Sequence, residues 1–328
     1  MNVALDRVGG VYALPVILAI LAFAAIGSTS TWVTLTAAGL AMGMMIFLMA
    51  SGLSLIFGLM DVLNFGHSAF VSFGAFIAAS VLAALGAWLA ADSVLLNIAA
   101  LMAAIAAATA FGALAGWGFE RVIVKPVYKD HLRQILITMG ALIVAEQLLL
   151  AIWGGTPIAV ARPAFLTGSI IIGDVAIEAY RIFALLLGLV VYVGMYLALN
   201  RTRIGLLIRA GVENREMVES LGFRIDRLFI GVFMAGSALA AMGGAMWAGY
   251  QSLITPALGQ ELMIIVFIVV IIGGLGSIQG SLLGAILVGL MTNYVAFLFP
   301  KLALASNMLL MMAVLLWRPY GLKPAVKG

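Results

Sequence analysis

Cysteine is absent from the 328 residues, and histidine occurs only at His67 and His131. The first absence excludes disulfides, iron–sulfur clusters, thiolate zinc sites and a cysteine nucleophile. The second removes a histidine-rich metal centre, so neither metal nor cofactor is expected. Charge is scarce too. Charged residues are 9% of the chain and hydrophobic ones 65%, against about 25% and roughly 45–50% in soluble domains. A soluble chain of this length could not hide so much apolar surface. The net charge of +4 is small and is read by location, not as a nucleic-acid footprint. The chain reads as an all-α polytopic transmembrane bundle.

A hydrocarbon core of ~30 Å needs about 20 apolar residues per helix. Ten segments are predicted: Val11–Ile26, Val33–Leu59, Phe65–Leu85, Val94–Trp117, Ile135–Ile152, Phe183–Leu199, Leu228–Tyr250, Leu262–Ile272, Ser281–Phe299 and Leu302–Trp317. Several are short or broken, and an even number puts both termini on one side. With the N-terminus inside, the inner loops collect Arg7, the Arg121–Arg133 cluster, six arginines from Arg201 to Arg227, and Arg318, Lys323 and Lys327. Only Arg162, Arg181 and Lys301 fall outside, so the positive-inside rule places both termini in the cytoplasm. Trp32, Trp88, Trp117, Trp153, Trp247 and Trp317 all lie near predicted span ends, as an aromatic belt would. The first apolar stretch also resembles a signal peptide, whose removal would leave nine spans.

Small residues recur every four positions at Gly236, Ala240, Gly244 and Ala248, at Ala108, Gly112 and Gly116, and at Ser281, Ala285 and Gly289. Such stripes let helix backbones approach in lipid. In the outer loop, Ser169–Ile172, Gly173-Asp174 and Val175–Ile177 predict a hairpin with a type II′ turn. It is either a lid over the pathway mouth or a docking surface for an external protein.

No G-x-x-x-x-G-K-[ST], G-x-S-x-G or H-E-x-x-H motif occurs, so no nucleotide or hydrolytic site is expected here, and any ATP hydrolysis falls to separate subunits. Polar residues at depth are few. Glu146, with Gln147 beside it, lies ~17 Å along its span and borders a polar pathway, acts as a proton site, or makes a helix–helix hydrogen bond. Asp61–Ser68 and Gly273–Ser281 interrupt apolar runs in the two halves of the chain. Broken segments in both halves point to a transport path, with Asn64, His67, Ser68, Gly274, Gly276 and Ser277 beside it. The alternative is two ordinary turns with Asn64 and Ser281 as N-caps.

The loop over 200–227 carries a short amphipathic helix. Met217, Val218 and Leu221 fall on one side, acids lie elsewhere, and Gly222 stands at the natural C′ position. It could lie on anionic lipid, but Glu213, Glu216 and Glu219 suit a protein groove better.

At this point the sequence resembles the permeases of ATP-binding-cassette importers, and more widely the branched-chain amino-acid permeases of the LivH type. The resemblance rests on Ser51-Gly-Leu-Ser-Leu-Ile-Phe-Gly58, Leu63-Asn-Phe-Gly-His67, Arg201-Thr-Arg-Ile-Gly205, Gly273-Gly-Leu-Gly-Ser-Ile278 and Arg318-Pro-Tyr-Gly-Leu322, in the family's order over Leu35–Leu322. Ser68-Ala69 and Val218 depart from the family's usual residues, and 1–30 forms an extra N-terminal helix. The resemblance implies a single permease domain over 1–328 in the bacterial inner membrane. It implies ATPase coupling through Arg209, Glu213, Asn214, Arg215, Met217, Val218 and Gly222. It also implies four kinds of partner: a second homologous permease, two cytoplasmic ATP-binding subunits, an external solute-binding protein and a small polar solute. That solute is a branched-chain or other amino acid, or alternatively urea, a short amide or an aromatic acid. The rival classes are a proton-coupled transporter using Glu146 or His67 and a passive channel.

Overall fold

The computed structural model describes residues 9–128, 130–213 and 215–324. The chain opens with helices α1 (Gly9–Tyr12) and α2 (Leu14–Ile26). They are separate because Pro15 occupies the first turn of α2, where its missing N–H costs nothing. Then come α3 (Thr29–Met60), α4 (His67–Ala84), α5 (Gly86–Ala90), α6 (Val94–Phe119) and α7 (His131–Trp153). Strand β1 (Ile158–Ala159) and the hairpin β2 (Ser169–Ile172) and β3 (Val175–Glu178) lead into α8 (Ala179–Arg201). Two short helices, α9 (Arg203–Glu213) and α10 (Arg215–Ser220), precede α11 (Ile225–Gln251). Strand β4 (Leu253–Ile254), α12 (Leu258–Gly273), α13 (Ile278–Leu298) and α14 (Ala303–Trp317) complete the chain.

Among the described residues, seven helices are long and apolar enough to cross a membrane: α3, α4, α7, α8, α11, α13 and the stretch opened by α6. Three shorter apolar helices cover Gly10–Ile26, Leu258–Gly273 and Ala305–Trp317. These are the ten predicted segments, and the chain is a polytopic helical bundle. Several segments are longer than expected, α3, α7, α8 and α12 among them. The helix predicted at Leu262 begins at Leu258, because Gly259, Gln260 and Glu261 join its first turn despite their polarity.

The core is built around α3, whose most apolar stretch is 89% buried, while the corresponding stretches of α7 and α8 are only 17% and 11% buried. Small residues explain the close packing. A Cβ on Gly289 of α13 would come within 2.7 Å of the Gly43 nitrogen on α3. Gly236 of α11 lies as tightly against Gly52, where an added Cβ would sit 2.7 Å from the Gly52 oxygen. The predicted stripes are therefore helix-crossing surfaces. Trp247 departs from the aromatic-belt expectation. It is 4% exposed, because α11 turns that face toward the core rather than toward an interface.

The first helix and the tail meet at one end of the bundle, where Lys323 Nζ donates to Tyr12 Oη at 2.6 Å. The tail also closes α12. Leu322 N–H and Lys323 N–H donate to the Ile272 and Gly273 carbonyls at 2.8 and 2.9 Å, satisfying acceptors that a helix C-terminus leaves open. The opposite end carries the hairpin, paired Ser169↔Glu178 through Ile172↔Val175. Gly173 has φ +61° while Asp174 does not have positive φ, as a type II′ turn requires. There β1 pairs with β4, and Arg162 binds both Glu178 and the Tyr250 carbonyl.

Candidate transport pathway and coupling surface

Helix α3 stops at Asp61, whose φ of +52° breaks the helical path. The chain then turns back into the bundle. Val62, Asn64, His67 and Ser68 are completely buried, and His67 Nε2 lies 3.0 Å from the Met49 carbonyl. Only an N–H can face that carbonyl, so His67 carries its proton on Nε2 and Nδ1 is left as an acceptor. Met49 lies 11 residues before the end of α3 at Met60, which puts His67 ~16 Å inside that end. The interruption is thus irregular backbone at depth, surrounded by protein as lipid demands.

Two corrections concern the caps. Gly66 occupies the N-cap position of α4, and Asn64 contributes only its backbone carbonyl, accepting from His67 N–H at 3.3 Å. At the second break Ser277 caps α13, its hydroxyl accepting from Gly280 N–H at 3.1 Å. Ser281, a turn further on, lies inside the helix. The first cap thus falls two residues later than expected and the second four residues earlier.

The core holds polar atoms without partners, among them Asn64 Oδ1 and Nδ2, His67 Nδ1, Ser54 Oγ and Ser237 Oγ. Each would cost about 1–3 kcal/mol if left dry. His67 Cε1 lies at the Gly52–Gly236 crossing of α3 and α11, 3.1 Å from where a Gly52 Cβ would stand. Phe70, Phe119 and Phe233 flank the cluster, with Phe119 stacked on Phe233 at 6.0 Å. An apolar wall beside open donors and acceptors suits a small polar molecule.

The second break lies elsewhere. Gly274 and Gly276 have φ of +97° and +78°, and Gly276 abuts Gly58, two residues from the end of α3. Gly58 is nine residues beyond Met49, ~14 Å along the helix, so this turn stays at the end of the bundle. Glu146 and Gln147 are apart from both. They lie on the poorly covered helix α7, where Gln147 is exposed and Glu146 half-buried. Glu146 Oε1 has no partner.

At the terminal end α10 closes in a full Schellman motif. Phe223 N–H donates to Val218 O at 3.3 Å and Gly222 N–H to Glu219 O at 2.9 Å. Gly222 has φ +88°, the left-handed C′ position expected of it. The apolar side is divided: Val218 is 2% exposed, whereas Met217, Leu221 and Phe223 are 54%, 69% and 48% exposed. The helix thus anchors through Val218 and presents the others outward. Behind it Ile208 of α9 joins Leu55 and Val232 in an apolar cluster that Leu199 and Ile278 border, where α9 meets the spans. Asn214 and the side chains of Arg209, Glu213 and Arg215 lie outside the described residues.

Ser54 and Ser237, and the α7 residues Gln134 and Thr138 that hold the Leu63 and Phe65 amides, escaped the sequence reading. Their available signal was polarity inside apolar runs, and Gln134 and Thr138 share a helix face at i, i+4.

A multi-pass bundle with an interrupted span at depth and a helical platform at one end defines a membrane transport permease. The family described as the branched-chain amino acid transport system, permease component, matches residues 35–317, and the chain belongs to it. This is a non-catalytic transport subunit of an ATP-binding-cassette system. The chain is 30% identical over 297 residues to the high-affinity branched-chain amino acid transport permease BraD of Pseudomonas aeruginosa, covering 87% of this chain and 93% of that one. It is 25% identical to the LivH permease of Escherichia coli K12 over 77% of this chain and 82% of that one. A probable LivH of Methanocaldococcus jannaschii is 24% identical, over 85% and 88%. No solved structure matches the chain.

Proposed function

We propose that the chain is the permease subunit of an importer that moves a small polar solute, a branched-chain amino acid first among the candidates, from periplasm to cytoplasm. The whole chain acts as one permease domain, with 1–30 as an added helix and 200–227 as the coupling loop. The terminal end faces the cytoplasm, in line with its arginines and lysines. The observation that carries this reading is the platform at α9 and α10, which is anchored to the spans through the apolar cluster of Ile208, Leu55 and Val232 and exposes Met217, Leu221 and Phe223. Such a face fits the groove of an ATPase subunit. Two ATPases, a second homologous permease and an external binding protein complete the assembly. Asn64, His67 and Ser68 border the solute path, while Gly274, Gly276 and Ser277 form the inner hinge beside Gly58. Glu146 stands on a peripheral helix, which favours the ATP-driven reading over a proton relay.

The test is uptake by the complete complex reconstituted in proteoliposomes with the loaded binding protein. Leucine, isoleucine or valine should accumulate only with internal ATP, unmoved by a proton gradient. Accumulation of urea or an aromatic acid instead would change the substrate, and uptake without ATP would overturn the class.

A further inference from the structure

Helix α7 is sparsely covered, yet Gln134 and Thr138 are completely buried. Both reach the interruption between α3 and α4. Gln134 Oε1 accepts from Leu63 N–H at 3.3 Å, and Thr138 Oγ1 accepts from Phe65 N–H at 3.2 Å. The two acceptors stand four residues, ~6.0 Å, apart along α7. One helix face therefore meets both amides. Inside a membrane such amides have no water to turn to.

The contact continues toward the terminal end. Gln134 Nε2 donates to the Tyr128 carbonyl at 3.0 Å, and Tyr128 Oη donates to Glu120 Oε1 at 2.5 Å. Glu120 is 1% exposed and opens the single π-helical stretch Glu120–Val124 among the described residues, an irregularity frequent at functional sites. A hydrogen-bonded chain thus links Glu120, Tyr128 and Gln134 to Leu63. Between the two held amides stands Asn64, whose own side chain has no partner.

We infer that Gln134 and Thr138 form a polar clamp that sets the Leu63–Phe65 backbone, and through it the placement of Asn64 and His67. They are positioning residues, and the inference rests on the reading that Asn64 and His67 border the solute path. The contribution of α7 to transport then comes from its first two turns rather than from Glu146, ~12 Å further along.

The complete reconstituted transporter provides the test, and the cysteine-free chain makes it clean. Leu63→Cys supplies one thiol in the clamped segment, and its labelling rate reports how firmly the segment is held. Thr138→Val keeps the shape and removes the acceptor. It should raise labelling and lower the maximal uptake rate per folded transporter, each by about tenfold, as the loss of one buried hydrogen bond implies. Thr138→Ser keeps the hydroxyl and should match the parent in both. A purely structural role would lower the melting temperature while leaving the rate of the surviving transporters unchanged. Gln134→Leu should repeat the effect of Thr138→Val, and if it fails to assemble, the Thr138 pair decides. Unchanged labelling and uptake in Thr138→Val, or equal losses in Thr138→Ser, overturn the clamp. Normal uptake by Asn64→Ala, together with faster labelling in Thr138→Val, would sink the pathway reading while supporting the clamp.

Discussion

Single residues in this chain act mainly through what their size allows or their polarity leaves open. Gly289 illustrates size. An added side chain there meets the Gly43 backbone of α3, with no rotamer to relieve the clash. We predict that Gly289→Val lowers stability by about 1–3 kcal/mol, read as a lower melting temperature in detergent, whereas Gly140→Ala, in open space, leaves it unchanged. Equal melting of the two would mean that the α3–α13 crossing is looser than described. Glu146 illustrates polarity. Its Oε1 is buried and unpartnered on the sparsely covered helix α7. Glu146→Gln preserves a polar head, so uptake by the complete complex should stay above half of the parent rate with the same pH profile. A lost pH dependence would revive the proton-coupled alternative.

Elements carry the next level of argument. The platform helix α10 depends on a left-handed C′ residue, and Gly222 adopts φ +88° without the ~1–2 kcal/mol penalty a Cβ brings. Gly222→Val should therefore fray the Schellman motif and turn Leu221 and Phe223 out of place. Its expected signature is a permease present in the membrane at normal levels whose ATPase subunits no longer co-purify. Retained co-purification and full substrate-stimulated hydrolysis would remove α10 from the coupling role. The element-scale patterns were partly legible beforehand. The hairpin and the Gly222 stop were predicted because both depend on local backbone conformation, which glycine announces. The side of α10 that is buried was not legible. Met217, Val218 and Leu221 look alike in sequence, and only the packing of neighbouring spans sends Val218 inward and leaves the other two outside.

For the whole molecule the central question is orientation. The tail and the first helix share one end through Lys323 and Tyr12. On the orientation proposed above, that end faces the cytoplasm. A single cysteine replacing Glu219, exposed on α10, should resist an impermeant thiol reagent applied to intact cells, while one replacing Ile171 at the hairpin, 74% exposed, should react. The reverse pattern would invert the map and take the platform away from the ATPase.

The sequence by itself determined the number and position of the spans, the all-helical class and the family, because hydrocarbon thickness and the need to satisfy every backbone group leave one regular solution for long apolar runs. It also marked both interruptions, through the polar run Asp61–Ser68 and the glycine-rich run Gly273–Ser281. Tertiary structure alone decided that the two interruptions are unlike. The first dips to the level of Met49 and is held by Gln134 and Thr138, whereas the second stays beside Gly58 under the tail. Depth depends on which helix supplies the missing hydrogen bonds, and those partners lie some 70 residues away in the chain, where no local pattern can name them.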